Sequence, residues 1–249
     1  MKIIINCDDL GYSETVNDTI LDLMEEGRVT SATVMMNAPA VEDAVRRLEG
    51  LRENSFGVHL NVSEFAPLSG HPGLRPLLDE NGTFSGSAKQ IPLTFAVRQG
   101  VYAEWCAQVE RAREFGVPIS HLDSHHHVHT RPSLLHVLNR VQKKFGIRKV
   151  RLRRNVSGIT HPMRTPRRAR NFAWNFALRH YLHAQTTDGF TAFSTFHERL
   201  QAGVGWQGSI ELMCHPGSDQ FAAETMLLSG EWKEQLAKDA QLISYNQLD

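Results

Sequence analysis

Seven consecutive residues, Asp123-Ser124-His125-His126-His127-Val128-His129, put four imidazoles and a carboxylate directly after the apolar pair Ile119 and Leu122. Neutral ring nitrogens are strong ligands for divalent metals, and a rigid strand end fixes their spacing, so the cluster points to a metal or catalytic role. If the chain stays extended, alternation places His125, His127 and His129 on one face and His126 on the other. A solvated polar loop or an expression tag would be the plainer origin of such a run. A tag sits at a terminus and is more uniform. Three more polar groups follow apolar runs elsewhere: Asp8 and Asp9 after Ile3-Ile4-Ile5, His59 between Val58 and Leu60, and His215 after Gly208 to Cys214.

The elements that must position these residues alternate in type. Ile3 to Ile5 reads as a strand buried on both faces, and Ser13 is placed to cap a helix that Gly27 stops. Further strands are expected at Thr30 to Met36, Phe56 to Val62, the stretch through His121 and Asp123, Val150 with Leu152, and Gly208 to Cys214. Helical spacing marks Val41 to Leu51, Val101 to Phe115, the segment opened by Pro132, the aromatic-rich Phe172 to Tyr181 and a final helix over about Trp232 to Ile243. The aromatics of Phe172 to Tyr181 are expected in the core. Residues 63 to 100 break the rhythm with repeated Pro and Gly, and a loop of that length is expected to serve as a lid or a substrate wall.

About seven strand and helix repeats predict an α/β protein with a parallel sheet, a single barrel-like domain over residues 1 to 249. In a (β/α) barrel the working residues sit at the C-terminal rim, so four separate segments converge on one mouth. Asp9, His59 and His125 are then the metal ligands, Asp8 the general base and His215, on the opposite side of the mouth, the proton donor to a leaving group. Asp8 and Asp9 can share a site only if the chain is already turning there, because neighbours in an ideal strand point opposite ways. Asp123, His127 and Arg151 are candidates for orienting a ligand or touching substrate. Cys7 and Cys214 are expected as small buried residues beside the site.

Lys+Arg and Asp+Glu number 27 each and the pI is near 7.2, so no global field draws the chain to nucleic acid or to an anionic membrane. A neutral small molecule is the expected partner. The basic stretch from Arg148 to Arg170 is expected to be a solvated face rather than an anion or nucleic-acid site, while Arg151 and Arg153 flank Leu152 at a strand end, where either could point into the pocket. Three scattered cysteines argue against a disulfide framework and favour a reducing cytoplasm, and the chain shows neither a leader pattern nor a run of about 18 apolar residues that could span a membrane.

Four ordered motifs, Asn6-Cys7-Asp8-Asp9-Leu10-Gly11-Tyr12-Ser13, Gly57-Val58-His59-Leu60-Asn61, His121 to His129 and Cys214-His215-Pro216-Gly217, resemble those of the YdjC-like carbohydrate deacetylases, the family of the chitooligosaccharide deacetylases. The resemblance runs from residue 3 to about 219. It implies a distorted (β/α) barrel, metal-dependent removal of an N-acetyl group from an amino sugar, Asp9, His59 and His125 as ligands, Asp8 as base, His215 as acid, and a homodimer. Cys7 and Leu10 stand where the family usually has Ala and Phe, which bears on pocket shape. Residues 155 to 205 match nothing in the family pattern, and substrate choice is expected there or in the 63 to 100 loop. Zn²⁺ or Mg²⁺ suits the donor set best, with Mn²⁺, Co²⁺ and Ni²⁺ as alternatives. The rival readings are a phosphoesterase or cyclic amidohydrolase of the same barrel type, or a non-catalytic sugar- or nucleic-acid-binding protein that uses the basic stretch.

Overall fold

A computed structural model of the chain describes residues 1 to 51 and 53 to 248. The isoleucine run becomes the middle of β1 (Lys2–Leu10), where Ile3, Ile4 and Ile5 are wholly buried. On one side β1 pairs with β2 (Ser31–Val34), followed outward by β3 (Ser55–Leu60), β4 (Ile119–Ser124) and the two-residue β5 (Lys149–Val150). On its other side lie β7 (Ser209–Cys214) and then β6 (Gly189–Ala192). All these pairings are parallel, so every strand ends at the same edge of the sheet. The crossovers carry α1 (Glu14–Glu25), α2 (Val41–Arg46), α3 (Phe95–Glu114), α4 (Leu135–Phe145), α5 (Thr165–His180) and α6 (Phe193–Gln201), while α7 (Ala222–Ser229) follows β7. The Ser13 hydroxyl caps α1 by accepting from Val16 N.

The sheet curls but does not close into a regular barrel. Between β5 and β6 the seam is held by a bridge from Lys149 to Gln185 and by Asn155 and Val156, whose N–H groups donate to the Phe190 carbonyl. Residues 153 and 154 therefore lack a full strand partner, and α5 supplies one. Asn175 Oδ1 accepts from Arg153 N while its Nδ2 donates to Arg153 O, and Asn171 Nδ2 donates to Arg154 O.

This use of α5 overturns the expected place of its aromatics. Asn171, Trp174, Asn175 and Leu178 take the inward face, which leaves Phe172 70% and Phe176 55% exposed. The expected last helix is also absent: Trp232–Gln235 is a short 3-10 turn, and Gln241–Leu242 forms β8 against β1. The amphipathic spacing there was too short to outweigh the pairing offered by Lys2 and Ile3 at the start of β1, which β2 does not reach. Within the 63 to 100 segment, 3-10 turns at Pro72–Leu77 and Ser87–Lys89 precede α3, which starts at Phe95 rather than near residue 101. Among the described residues, no helix is long and apolar enough to cross a membrane.

Candidate metal centre at the strand ends

Asp8 and Asp9 share one site because β1 breaks its regular pleat at this point. The pairing of β1 with β2 shifts register between Cys7 and Leu10, and Asp9 lies in the left-handed region at φ 69°. A non-glycine residue held there costs about 1–3 kcal/mol and persists only where its surroundings enforce it. Here Tyr12 N donates to Asp9 O, and the Asn17 side chain accepts from Gly11 N at 2.7 Å. The bend points the Asp8 carboxylate into the barrel and leaves Asp9 at its mouth.

Opposite them, β3 delivers His59. Its Nδ1 lies 2.7 Å from Asp123 Oδ1 and 3.1 Å from Thr33 Oγ1, and its Nε2 lies 3.2 Å from Asp9 Oδ1. His125 Nδ1 approaches the same Asp9 oxygen at 2.8 Å. One donor atom from each of Asp9, His59 and His125 lies within 4.8 Å of the others. Ligands 2.0–2.1 Å from a tetrahedral Zn²⁺ sit roughly 3.3 Å apart, so the spacing and the donor types suit a divalent ion. Asp123 orients the His59 ring, as carboxylates behind liganding histidines do.

Burial lowers the His59 pKa, but Asp123 and Asp8 more than offset it and raise it to about 10. A raised folded pKa means that the stability from the charged ring is complete below its ordinary value of 6.5 and is lost as pH rises through about 10. The melting temperature in a chelator is therefore expected to fall as pH is raised from 6.5 toward 10. A flat profile across that interval would contradict the assignment. Asp9 is held well below its ordinary range, its burial outweighed by hydrogen bonds from His125 and His59.

The histidine cluster does not stay extended, contrary to the alternation expected from its sequence. β4 ends at Ser124, and His126 and His127 turn left-handed at φ 53° and 56°. Consecutive rings therefore fan out. His125 faces Asp9, while His126 Nδ1 lies 3.0 Å from Ser63 Oγ. His127 turns its edge to Phe190, with ring centroids 5.8 Å apart, and its Nδ1 is buried without a partner among the described residues. His129 folds back onto Ser124 Oγ at 2.6 Å and the Arg151 carbonyl at 3.3 Å. Burial, then Arg151, lower the His129 pKa to about 3, which keeps that ring neutral.

Sequence reasoning missed Glu64, whose Oε1 lies 3.4 Å from His125 Nε2 and which forms a second possible ligand group with His125 and His126. Its signal was present in Asn61: the Asn61 Oδ1 accepts from Ser63 N and Glu64 N, an Asx-type turn that swings Glu64 over the mouth.

Arg151 is wholly buried beneath this cluster and grips three carboxylates. It donates to both oxygens of Asp8 at 2.6 Å, to Glu211 Oε1 through Nε at 2.6 Å, and lies 2.7 Å from Asp123 Oδ2. Burial pushes the Asp8 carboxyl up, yet Arg151 and then His59 hold it well below the ordinary carboxylate range. Glu211, also unforeseen, accepts from the Tyr245 hydroxyl at 2.5 Å, and burial raises its pKa to about 7. A single acid in the otherwise apolar Ile210 to Cys214 run was its only sequence signal.

His215 stands beside Asp8 rather than across the mouth. The reason is topological: β7 is the neighbour of β1, with Cys7 and Cys214 in register and their Sγ atoms 3.3 Å apart. His215 Nε2 lies 3.8 Å from Asp8 Oδ2, and its main-chain N–H donates to Glu224 at 2.8 Å. Burial lowers its pKa, but Glu224 and Asp8 raise it more, which favours the protonated ring. Asp8, Asp9, His59, Glu64, His125 and His215 line a cleft of about 580 Å³ that also takes in Tyr12, Lys89 and Phe221.

A curled parallel sheet with its ionisable groups gathered at the strand ends defines the class of (β/α)-barrel proteins that work at the C-terminal rim. Within that class, the chain belongs to the YdjC-like protein family, whose sequence profile matches residues 2–244. A carbohydrate deacetylase of Vibrio campbellii is 34% identical over 216 residues, covering 87% of this chain and 78% of its own. One of Halalkalibacterium halodurans is 32% identical, covering 98% of this chain and all of its own. The fold matches the crystal structure of an Enterococcus faecalis V583 protein named for cellobiose-phosphate cleavage, with a TM-score of 0.78 and 24% identity over 99% of this chain and 98% of that one.

Proposed function

We propose that the chain is a metal-dependent carbohydrate N-deacetylase that hydrolyses the acetamide of an N-acetylated amino sugar, such as a chitooligosaccharide, to a free amine and acetate. The observation that carries this is the convergence of Asp9, His59 and His125, with Asp8 and His215 beside them, in a chain whose near full-length relatives are carbohydrate deacetylases. Asp9, His59 and His125 would hold one divalent ion, Zn²⁺ or Mg²⁺ before Mn²⁺, Co²⁺ or Ni²⁺. When bound, the ion supplies Lewis acidity for a water and for the acetamide carbonyl.

Asp8 accepts the proton of the attacking water. Arg151 keeps it ionised yet uses only part of its acceptor capacity, because a carboxylate offers about four lone-pair positions. His215, whose proton Glu224 and Asp8 favour, donates to the departing nitrogen. A cytoplasmic setting belongs to this reading, supported by three cysteines that are buried and unbonded. The test is acetate release from N,N′-diacetylchitobiose by protein stripped of metal and refilled with single divalent ions. Chelation is expected to remove activity and one ion to restore it, while His125→Ala lowers both ion affinity and rate by at least about tenfold. Activity that survives chelation undiminished would end the metal-dependent reading.

A further inference from the structure

The basic stretch is only in part a solvated face: Arg148, Arg164 and Arg168 are exposed, whereas Arg151 is buried and Arg153 and Arg154 are half-buried. Arg153 and Arg154, just after β5, join Arg167 and Arg170 of α5 and Lys89 of the 63 to 100 segment around a cavity of about 490 Å³. This cavity shares Lys89, His126 and His127 with the cleft that holds Asp8, Asp9 and His59, so a molecule seated at the strand ends can reach into it. Arg131 lines it too, but its guanidinium is spent on the carbonyls of Ala88 and Ile91.

Among the described residues, the other five cations make no side-chain hydrogen bond or ion pair. The Nη1 of Arg153 and the Nδ1 of His127 are buried without a partner, and unmet buried polar atoms of this kind mark a place for a ligand atom or water. Burial, then Arg170 and Arg167, lower the pKa of Arg153; burial and Arg167 do the same to Arg154. The one acid that acts on Arg154 is Glu224, which is already engaged with His215.

A phosphate monoester presents three terminal oxygens, which two forked guanidiniums largely occupy. Four guanidiniums and an ammonium match two linked phosphoryl groups better. We infer that this cavity binds a diphosphate attached to the sugar, so that the natural substrate is an N-acetylated amino sugar carried as a glycosyl diphosphate. This rests on the deacetylase reading of the adjoining cleft. Sugar nucleotides and lipid-linked sugars share that diphosphate, and the exposed Phe172 and Phe176 further along α5 make the lipid source worth a separate arm.

The test titrates the metal-loaded protein calorimetrically with UDP, UMP, farnesyl diphosphate and sulfate at fixed ionic strength. Acetate release from UDP-N-acetylglucosamine and from N,N′-diacetylchitobiose is measured in parallel. Diphosphates are expected to bind at least tenfold tighter than UMP or sulfate, and Arg153→Gln and Lys89→Gln, on separate segments, each to weaken that binding at least tenfold. Farnesyl diphosphate binding tenfold above UDP assigns a lipid carrier; the reverse assigns a nucleotide. UMP or sulfate binding as tightly as UDP, or diphosphate affinity unmoved in both variants, overturns the inference. Tight diphosphate binding with no acetate from either sugar would remove the deacetylase activity instead, and acetate from the neutral disaccharide without diphosphate binding would remove only the role of the cavity.

Discussion

Replacing Arg151 with methionine is expected to cost the fold about 3–5 kcal/mol, because the change breaks a buried ionic cluster from one side only. Methionine fills much of the volume but leaves Asp8, Asp123 and Glu211 at most 2% exposed, with the His59 ring as the one cation packed against Asp123 and none against Glu211 among the described residues. Such carboxylates can relax only by taking up protons, so the native state of the variant binds more protons than the unfolded chain. Stability then falls with rising pH, and the deficit in urea denaturation is expected to be larger at pH 7 than at pH 5. A loss below about 1 kcal/mol at pH 7 would show that Arg151 is not the keystone of the strand ends. Glu211→Gln should be milder, since the amide oxygen can take the place of Oε1 and accept from Arg151 Nε, while the amide nitrogen, in the place of Oε2, can donate to the Tyr245 hydroxyl oxygen.

Asp8→Asn is expected to lower kcat for acetate release by about 10²–10⁴-fold, the usual worth of a positioned general base. Its fold should survive. The amide oxygen can keep the place of Oδ1, where Arg151 Nη2 and Asn6 Nδ2 converge, and Arg151 Nη1 retains Asp123 Oδ2 when it loses its Asp8 partner. Ion affinity should stay within a few-fold of the parent, since the three proposed ligands are untouched. That combination separates loss of a base from loss of a ligand. Equal falls in ion affinity and rate would move Asp8 into the metal shell, as its place in a buried group with His59 and Asp123 allows.

The architecture was legible because burial on both faces writes itself as apolar runs. Ile3 to Ile5, Val58 with Leu60, and Ile210 with Leu212 each end at a polar residue, and parallel pairing carries all those ends to one rim. Asp9, His59 and His125 met there because strand termini are fixed by topology rather than by side-chain detail. The fanned histidines were not legible, since left-handed turns at His126 and His127 are imposed by what surrounds them and not by local propensity. Arg151 was legible as a residue of the site but not as the clamp on three acids, which come from β1, β4 and β7 and lie 143, 28 and 60 residues away in the chain. Charge counting averages over such pairs. The same averaging hid the basic cavity, where neutrality of the whole chain coexists with five cations in one place that have no ion pair among the described residues. The outward aromatics of α5 were misread because helical period gives the angle between residues, while the choice of inward face went to asparagines needed by an unpaired strand.

The left-handed Asp9 has a further meaning for how the protein spends its conformational freedom. The rest of the structure enforces the bend once, during folding, so no ligand has to impose it at each turnover. A carboxylate already held at the mouth, with its neighbour already turned inward, lets binding begin from an ordered acceptor rather than from a floppy loop end. The restriction falls on residue choice as well. Only glycine, asparagine or aspartate takes this backbone angle readily, and of the three only aspartate carries charge. Position 9 is thus chosen twice over, by shape and by charge, and the other acid, glutamate, would hold the bend only at a higher cost in backbone strain.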